Sequence, residues 1–273
     1  MSPAPRRPGM AALRRALYAI GDGAIGPALG AWTVLGVGAA TVIQGARPAV
    51  WRRTVRAELV RHLSQMGLSA LPAVLILGGL SGLGIVAQAV YRLGLFGQSE
   101  QVGPVLVLVL VRELAPLLVA LLVIGRSASV SLADLHELRA SGRLRALDAM
   151  GIDPFHLLVL PRAYAMATCC FALTIAFLAA ALVLGFVGSS AAGITPLPFV
   201  AFVNEVLGNM GPAEYALLVA KPVLIGFTVA LVTCVVALKP HRSGDGLHQL
   251  LPRGMAAATV AAFLISGALS VLL

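Results

Sequence analysis

Five long apolar runs dominate the sequence, and each is long enough to cross a lipid bilayer as a helix. They cover approximately residues 68–93, 102–125, 163–188, 213–238 and 254–273. About 20 apolar residues suffice for a span, provided that the backbone is hydrogen-bonded within the protein. The runs lack the alternation that membrane β-strands require, and a chain with 11% charged residues is too apolar for a soluble domain. The sequence therefore predicts an all-α integral membrane protein with about five transmembrane helices.

Lysine and arginine are concentrated on one side of this arrangement. Nine arginines precede residue 68, four lie in 126–154 and three basic residues lie in 239–253, whereas 94–101 and 191–212 contain none. Cytoplasmic loops are enriched in these residues, so we expect the basic segments and the N-terminus in the cytoplasm, and the C-terminus outside. The net charge of +9 is thereby explained by topology, and no nucleic-acid partner is expected.

Residues 1–66 are interpreted as basic interfacial helices that precede a five-span domain of residues 67–273. Residues 24–43 are uncharged and leave two alternatives, a sixth span or a helix in the cytoplasmic leaflet. The leaflet helix is favoured, because a sixth span would move four N-terminal arginines outside or invert every later loop. In the basic stretch that follows, Val50, Thr54, Leu59 and Leu63 are expected to share one flank.

Three charged residues lie inside the predicted spans. Arg112 and Glu113 are near the middle of the second span, and Lys221 is about a third of the way into the fourth. Each central charge costs about 2.5–3.5 kcal/mol on insertion, so such residues face the bundle interior or a wet cavity. Pro116 and Pro222 follow them closely, and interrupted helices beside buried charges are typical of substrate cavities. We predict a substrate site here; the alternative is a structural ion pair.

Helix geometry constrains how these charges are paired. Neighbouring residues on a helix point about 100° apart, so Arg112 and Glu113 are expected to face different partners. Pro116 has no N–H and is expected to free a backbone carbonyl one turn earlier.

No catalytic or metal-binding pattern is recognisable. Cys169, Cys170 and Cys234 lie in apolar helices without metal-ligand spacing, and are expected to be small core residues. A G-x-G-x-x-G match at residues 21–26 follows no strand, so a nucleotide loop is not expected. The sequence predicts no metal, no cofactor and no enzymatic activity; any ATP hydrolysis is assigned to another chain.

The most distinctive segment is residues 111–167, VRELAPLLVALLVIGRSASVSLADLHELRASGRLRALDAMGIDPFHLLVLPRAYAMA. It resembles the MlaE/YrbE permeases, which are the membrane subunits of Mla- and Mce-type ABC lipid transporters. The likeness extends from the N-terminal basic helix to the last span. The residues that carry it are Arg112, Glu113, Leu114, Pro116, Gly125, Arg126, Ser129, Met150, Gly151, Asp153, Pro154, Pro161 and Arg162.

The resemblance implies a homodimer of five-span subunits, each with an N-terminal interfacial helix, in the bacterial inner membrane. Two ABC ATPase subunits would lie beneath it, and a periplasmic MCE-domain ring would lie above it. A phospholipid-sized cavity would open between the two copies. The residues expected to line this cavity are Arg112, Glu113, Pro116 and Lys221.

The resemblance also assigns a role to residues 126–154, as the cytoplasmic coupling segment that seats on the ATPase. A short amphipathic pattern of leucines at 135, 138, 144 and 147 agrees with a helix there, and Asp153-Pro154 marks its exit. The residues expected to take part in coupling are Asp134, Glu137, Arg139, Arg143, Arg145, Asp148 and Asp153.

The sequence departs from the family pattern at a few positions. Gly142, Arg143 and Arg145 stand where acidic residues are usual, Asp134 replaces a Glu, and no acid follows Asp245. Two alternatives to an ABC lipid permease therefore stay open. One is a divergent, non-pumping relative that acts as a scaffold or as half of a heterodimer. The other is an ion-coupled secondary transporter that uses Glu113 and Lys221 as a relay.

Overall fold

The computed structural model describes residues 30, 32–96, 101–151, 153–191, 198–239 and 247–272. A short 3-10 turn, Pro48–Val50, precedes the second helix. The helices are α1 (Trp32–Gly45), α2 (Arg53–Leu95), α3 (Val102–Ala140), α4 (Arg143–Ala149), α5 (Phe155–Ala191), α6 (Phe199–Gly208), α7 (Pro212–Leu238) and α8 (Leu247–Leu272). Within these ranges there is no β-strand.

Five of these helices, α2, α3, α5, α7 and α8, are long and apolar enough to cross a membrane. Each contains one of the predicted apolar runs, apart from residue 273, which lies outside the described residues. The prediction of an all-α membrane protein with five spans is confirmed, together with a shorter apolar helix near the N-terminus.

The first span begins earlier than its apolar run. Helix α2 is continuous from Arg53, so residue 66, the expected end of the N-terminal part, falls inside it, within a π-helical turn at Ser64–Leu68. The expected flank of the basic stretch is wrong at Thr54, which is exposed, while Val55 is buried. The next buried side chains along the helix are His62 and Met66. They lie on the same face as Val55, and this face packs against the bundle because the helix is continuous.

Helix α1 covers the described part of the uncharged segment 24–43; residues 24–29 and 31, and the four arginines before them, lie outside the described residues. The described part of α1 comprises 14 residues, which is about 21 Å of helix, and the choice between a sixth span and a leaflet helix stays a prediction. The indole Nε1 of Trp51 donates to the carbonyl of Gly45 at 2.8 Å. The Trp51 ring also packs edge-on against Tyr164 of α5. The end of α1 is thereby attached to the bundle.

Helix α5 is central in the bundle, and packs against α2 on one side and α7 on the other. Glycines allow α2 to approach closely: a Cβ on Gly82 would lie 2.1 Å from the carbonyl oxygen of Ala181, and one on Gly78 would lie 2.7 Å from that of Phe177. Helix α7 is the most buried span and α8 the least. Cys169, Cys170 and Cys234 are buried and free, which confirms them as core residues.

Candidate functional site

The three charged residues predicted inside the spans meet at one point, between α3, α7 and α8. Lys221 is fully buried. Its Nζ donates to the main-chain oxygen of Arg112 at 2.7 Å, to Glu113 Oε2 at 2.9 Å and to Ser270 Oγ at 2.8 Å. An ammonium group has three N–H donors, so every donor of Lys221 has a partner within the chain.

Arg112 and Glu113 converge on a residue of the last helix. Ser270 Oγ lies 2.6 Å from Glu113 Oε1 in donor geometry, and Arg112 Nη2 donates to the Ser270 carbonyl at 2.9 Å. Arg112 Nε is also 4.0 Å from Glu113 Oε1. The expectation that Arg112 and Glu113 face different partners is therefore wrong. The regular-helix angle does not apply, since residues Val107–Leu114 form a π-helix, and the long Arg112 side chain reaches round the wider turn.

A main-chain carbonyl four residues before Pro116 is one of the acceptors in this cluster. It lies at the start of the regular helix that follows the π-helix, and it has no N–H to donate to the carbonyl four residues earlier. That carbonyl belongs to Arg112 and accepts the hydrogen bond from Lys221. The partner of this carbonyl is the buried cation, while its release by Pro116 stays a prediction.

Ser270 was not identified from the sequence. A serine in an apolar helix commonly donates to its own backbone, and Ser270 Oγ does lie 2.8 Å from the Ser266 carbonyl. The available signal was the spacing of Ser266 and Ser270, four residues apart and therefore on one face of an otherwise apolar helix. That spacing does not reveal which helix the face meets.

The electrostatic character of the cluster is positive. Two cations, Arg112 and Lys221, surround one carboxylate, Glu113. The Glu113 side chain is 39% exposed and that of Arg112 20%, against 1% for Lys221. Because only one hydrogen bond of the Arg112 guanidinium goes to a described residue, most of its five donors are available. The cluster, hereafter the charged cluster, is therefore suited to bind an anionic group through Arg112.

The residues expected in coupling are distributed around α4 and the ends of its neighbours. Glu137, Arg143 and Arg145 are exposed, and glycines with positive φ, Gly142 and Gly151, flank α4. For Asp148 the structure describes the backbone in α4 only.

Arg139 and Asp153 have local structural partners. Arg139 Nη1 donates to the Leu238 carbonyl at 2.9 Å and also to that of Lys239, which ties α3 to the end of α7. Asp153 accepts from the Phe155 amide at 2.9 Å and pairs with His156 at 2.8 Å. The expected exit at Asp153-Pro154 coincides with the start of α5.

Arg162 and Asp134 lie near each other at this same end of the bundle. Arg162 is 3% exposed, and its Nε and Nη1 have no hydrogen-bond partner in the described part of the chain. Asp134 and Glu58 interact with it electrostatically, but neither forms a salt bridge within 4.0 Å. A buried guanidinium with unpaired nitrogens is costly, and Asp134 is half-buried nearby.

The fold and the charged cluster define a multi-pass helical membrane protein with an ionic site inside its bundle. A family model described as permease MlaE matches residues 59–272, and the chain belongs to that family. This makes it the membrane subunit of a transporter rather than a catalytic enzyme.

Individual relatives agree with this assignment. The chain is 26% identical over 193 residues to a probable ABC transporter permease protein of Rickettsia prowazekii, covering 70% of this chain and 73% of the relative. It is 27% identical over 213 residues to one from Synechocystis, covering 78% and 80%. It is 30% identical over 136 residues to the intermembrane phospholipid transport system permease protein MlaE of Haemophilus influenzae, covering 50% and 51%.

Proposed function

We propose that this protein is the permease subunit of an ABC transporter that moves phospholipids or related lipids between the inner membrane and a periplasmic MCE-domain carrier. The family match and the relatives' names support the class of protein. The observation that carries the substrate is the charged cluster, since two cations around one carboxylate complement a lipid phosphate.

The hydrogen bonds of the cluster suggest how the phosphate is held. Lys221 has no spare donor, because its three bonds go to Arg112, Glu113 and Ser270. Arg112 has spare donors and is partly exposed, so it takes the phosphate first. Glu113 offsets the positive charge while the site is empty. A lone cation in a low-dielectric site would hold a phosphate tightly, and the neighbouring carboxylate therefore favours release.

The assembly follows from the same proposal. Two copies form a homodimer whose lipid cavity includes the partly exposed faces of Arg112 and Glu113. Two ATPase subunits bind against α4 from the cytoplasm, with the N-terminus on that side and the C-terminus in the periplasm. The three clusters of basic residues agree with this orientation in the inner membrane.

A reconstituted transfer assay tests the function. Vesicles containing the chain with its ATPase and MCE-domain partners should transfer phospholipid to the carrier only when ATP is hydrolysed. Arg112→Gln should reduce transfer, whereas Arg92→Gln should not, because it removes an exposed arginine from the same end of the bundle. Equal transfer by both variants would argue against the charged cluster as the lipid site.

The same assay separates the alternatives. The ion-coupled alternative is motivated by the direct Glu113–Lys221 contact of 2.9 Å, and it predicts transfer driven by a proton gradient without the ATPase. The scaffold alternative predicts a stable complex in which neither ATP nor a gradient produces transfer.

A further inference from the structure

A second polar site lies between α2 and α3, at the opposite end of the bundle from the charged cluster. It is a groove of about 290 Å³. Its lining includes His62 from α2, and Arg126, Ser127, Ser131 and Asp134 from α3. Glu113 and Ser127 are fourteen residues apart on α3, or about 20 Å at 1.5 Å per residue. Since Glu113 is near the middle of its span and half of the hydrocarbon core is about 15 Å thick, the groove lies at the headgroup level of the leaflet on the side of α4.

Two π-helical turns form its walls. One is Ser64–Leu68 in α2, and the other is Ile124–Ala128 in α3. Each π turn inserts extra backbone into a helix and rotates the side chains that follow, and such turns are frequent at functional sites. Here residues of both turns, among them Gln65, Arg126 and Ser127, line one groove.

Two serine side chains of the groove have no hydrogen-bond partner among the described residues. Ser127 is 5% and Ser131 3% exposed, and neither hydroxyl is hydrogen-bonded to a described residue. Ser129, between them, behaves as a helical serine usually does and donates to the Gly125 carbonyl at 2.7 Å. Neither the Ser127 nor the Ser131 oxygen is among the buried side-chain atoms that lack a partner, so both hydroxyls open to the groove and can donate to a group that enters it.

Arg126 and Asp134, the charged residues that α3 contributes to the groove, form no ion pair within 4.0 Å in the described part of the chain, although Asp134 interacts with Arg162 from a longer distance. No carboxylate among the described residues lies within 4.0 Å of the Arg126 guanidinium, and no cationic side chain lies that close to Asp134. Along α3 the order is Arg126, Ser127, Ser131 and Asp134. The groove therefore presents a cation and two hydroxyl donors at one end, and an anion at the other.

We propose that this groove binds a phospholipid headgroup that combines a phosphodiester with a primary amine. Arg126 and the hydroxyls of Ser127 and Ser131 donate to the phosphate oxygens, and Asp134 accepts from the ammonium group. This order of charges matches a zwitterionic headgroup from the leaflet on the side of α4. The site is separate from the charged cluster and does not depend on an ATPase.

Photo-crosslinking tests the site directly. A photoreactive residue at Val130, which lines the groove and is 56% exposed, is compared with one at Leu264, which is 68% exposed on α8. The protein is placed in nanodiscs with equal amounts of phosphatidylethanolamine, phosphatidylglycerol and phosphatidylcholine. Adducts at Val130 should be enriched in phosphatidylethanolamine about threefold or more, as one added hydrogen bond implies, while adducts at Leu264 should follow the bulk ratio.

Variants assign the contacts. Arg126→Gln and Ser131→Ala should abolish the enrichment, and Ser129→Ala, the matched control, should preserve it. Asp134→Asn should remove the preference for the amine headgroup, while total lipid adducts persist. Lipid bound at the charged cluster should be unchanged in all four variants, which shows that they are folded.

Three results would overturn the proposal. The first is that the lipid adducts at Val130 have the same composition as the bulk nanodisc lipid. The second is adducts to protein in place of lipid, which would identify the groove as a protein interface. The third is loss of the lipid adducts when excess inorganic phosphate is added, which would identify a site for free phosphate.

Discussion

The Nζ atom of Lys221 lies 2.7 Å from the main-chain oxygen of Arg112, across the contact between α7 and α3. Pro116, which has no N–H to donate, lies four residues later in the same helix. The same ammonium group binds Glu113 and Ser270. A buried lysine on α7 thus joins three helices, and the cost of inserting these charges is offset by their mutual hydrogen bonds.

The cluster predicts different outcomes for its two cations. Arg112→Gln should reduce bound phospholipid with little loss of stability, because the side chain is partly exposed. Lys221→Ala should lower both the bound phospholipid and the stability, since breaking a buried pair costs about 3–5 kcal/mol. Native mass spectrometry of lipid occupancy, read beside a melting curve, measures both effects. A purely structural cluster would show the Lys221 instability without any change in lipid occupancy for Arg112→Gln.

Removal of Glu113, the acid of the cluster, is expected to slow lipid turnover. Glu113→Ala should leave the protein in the membrane but slow lipid exchange, because the phosphate then meets two uncompensated cations. Retention of fluorescent phospholipid after dilution into unlabelled nanodiscs measures this rate. Exchange at the wild-type rate would contradict the balancing role of Glu113.

A negative charge at Ser270 is expected to change the preference of the cluster for anionic over zwitterionic lipid. With Arg112, Lys221 and Glu113 the cluster carries one net positive charge, and Ser270→Asp would neutralise it. At an effective dielectric constant of about 20, unit charges about 6 Å apart interact by about 3 kcal/mol. The ratio of anionic to zwitterionic lipid that co-purifies should therefore fall about tenfold or more. Ser270→Asn is the uncharged control, and an equal fall in both variants would exclude the charge as the cause.

Arg162 predicts a stabilising substitution. Its Nε and Nη1 are buried without partners, and Asp134 interacts with it from beyond salt-bridge distance. Asp134→Glu adds one methylene and should let the carboxylate reach the guanidinium. Because an unsatisfied buried group costs about 1–3 kcal/mol, the melting temperature should rise. The exposed Glu137→Asp is the control, and an unchanged melting temperature for Asp134→Glu would refute the explanation.

The exposed arginines of α4 predict a contact with the ATPase. Reversing Arg143 and Arg145 to Glu should weaken ATPase association in a pull-down without affecting the melting temperature. Arg139→Glu should behave differently and destabilise the bundle, because Arg139 donates to the Leu238 carbonyl. If the Arg143 and Arg145 variant retains as much ATPase in the pull-down as the unaltered protein, these arginines are ordinary cytoplasmic loop charges without a role in coupling.

Much of the candidate site could be read from the chain, because a charge in an apolar helix is conspicuous. Arg112, Glu113 and Lys221 were identified on that basis, and Pro116 is predicted to free a carbonyl. Ser270 could not be identified, since its role depends on which face of α8 meets α3. The shared contact of Arg112 and Glu113 with Ser270 was mispredicted, because the prediction used the regular α-helical angle and residues 107–114 are π-helical.

The sequence by itself determined the helices and the number of spans, because in a bilayer the length and polarity of a segment decide whether it crosses. It also determined which residues are too costly to leave unpaired there. Only the tertiary structure decided how those costs are met, since pairing depends on helix rotation and depth within the bundle. Lys221 contacts Glu113 and the main-chain oxygen of Arg112 because α7 and α3 pack at that level. Ser127 and Ser131 share a groove with His62 because α2 and α3 pack side by side at that level.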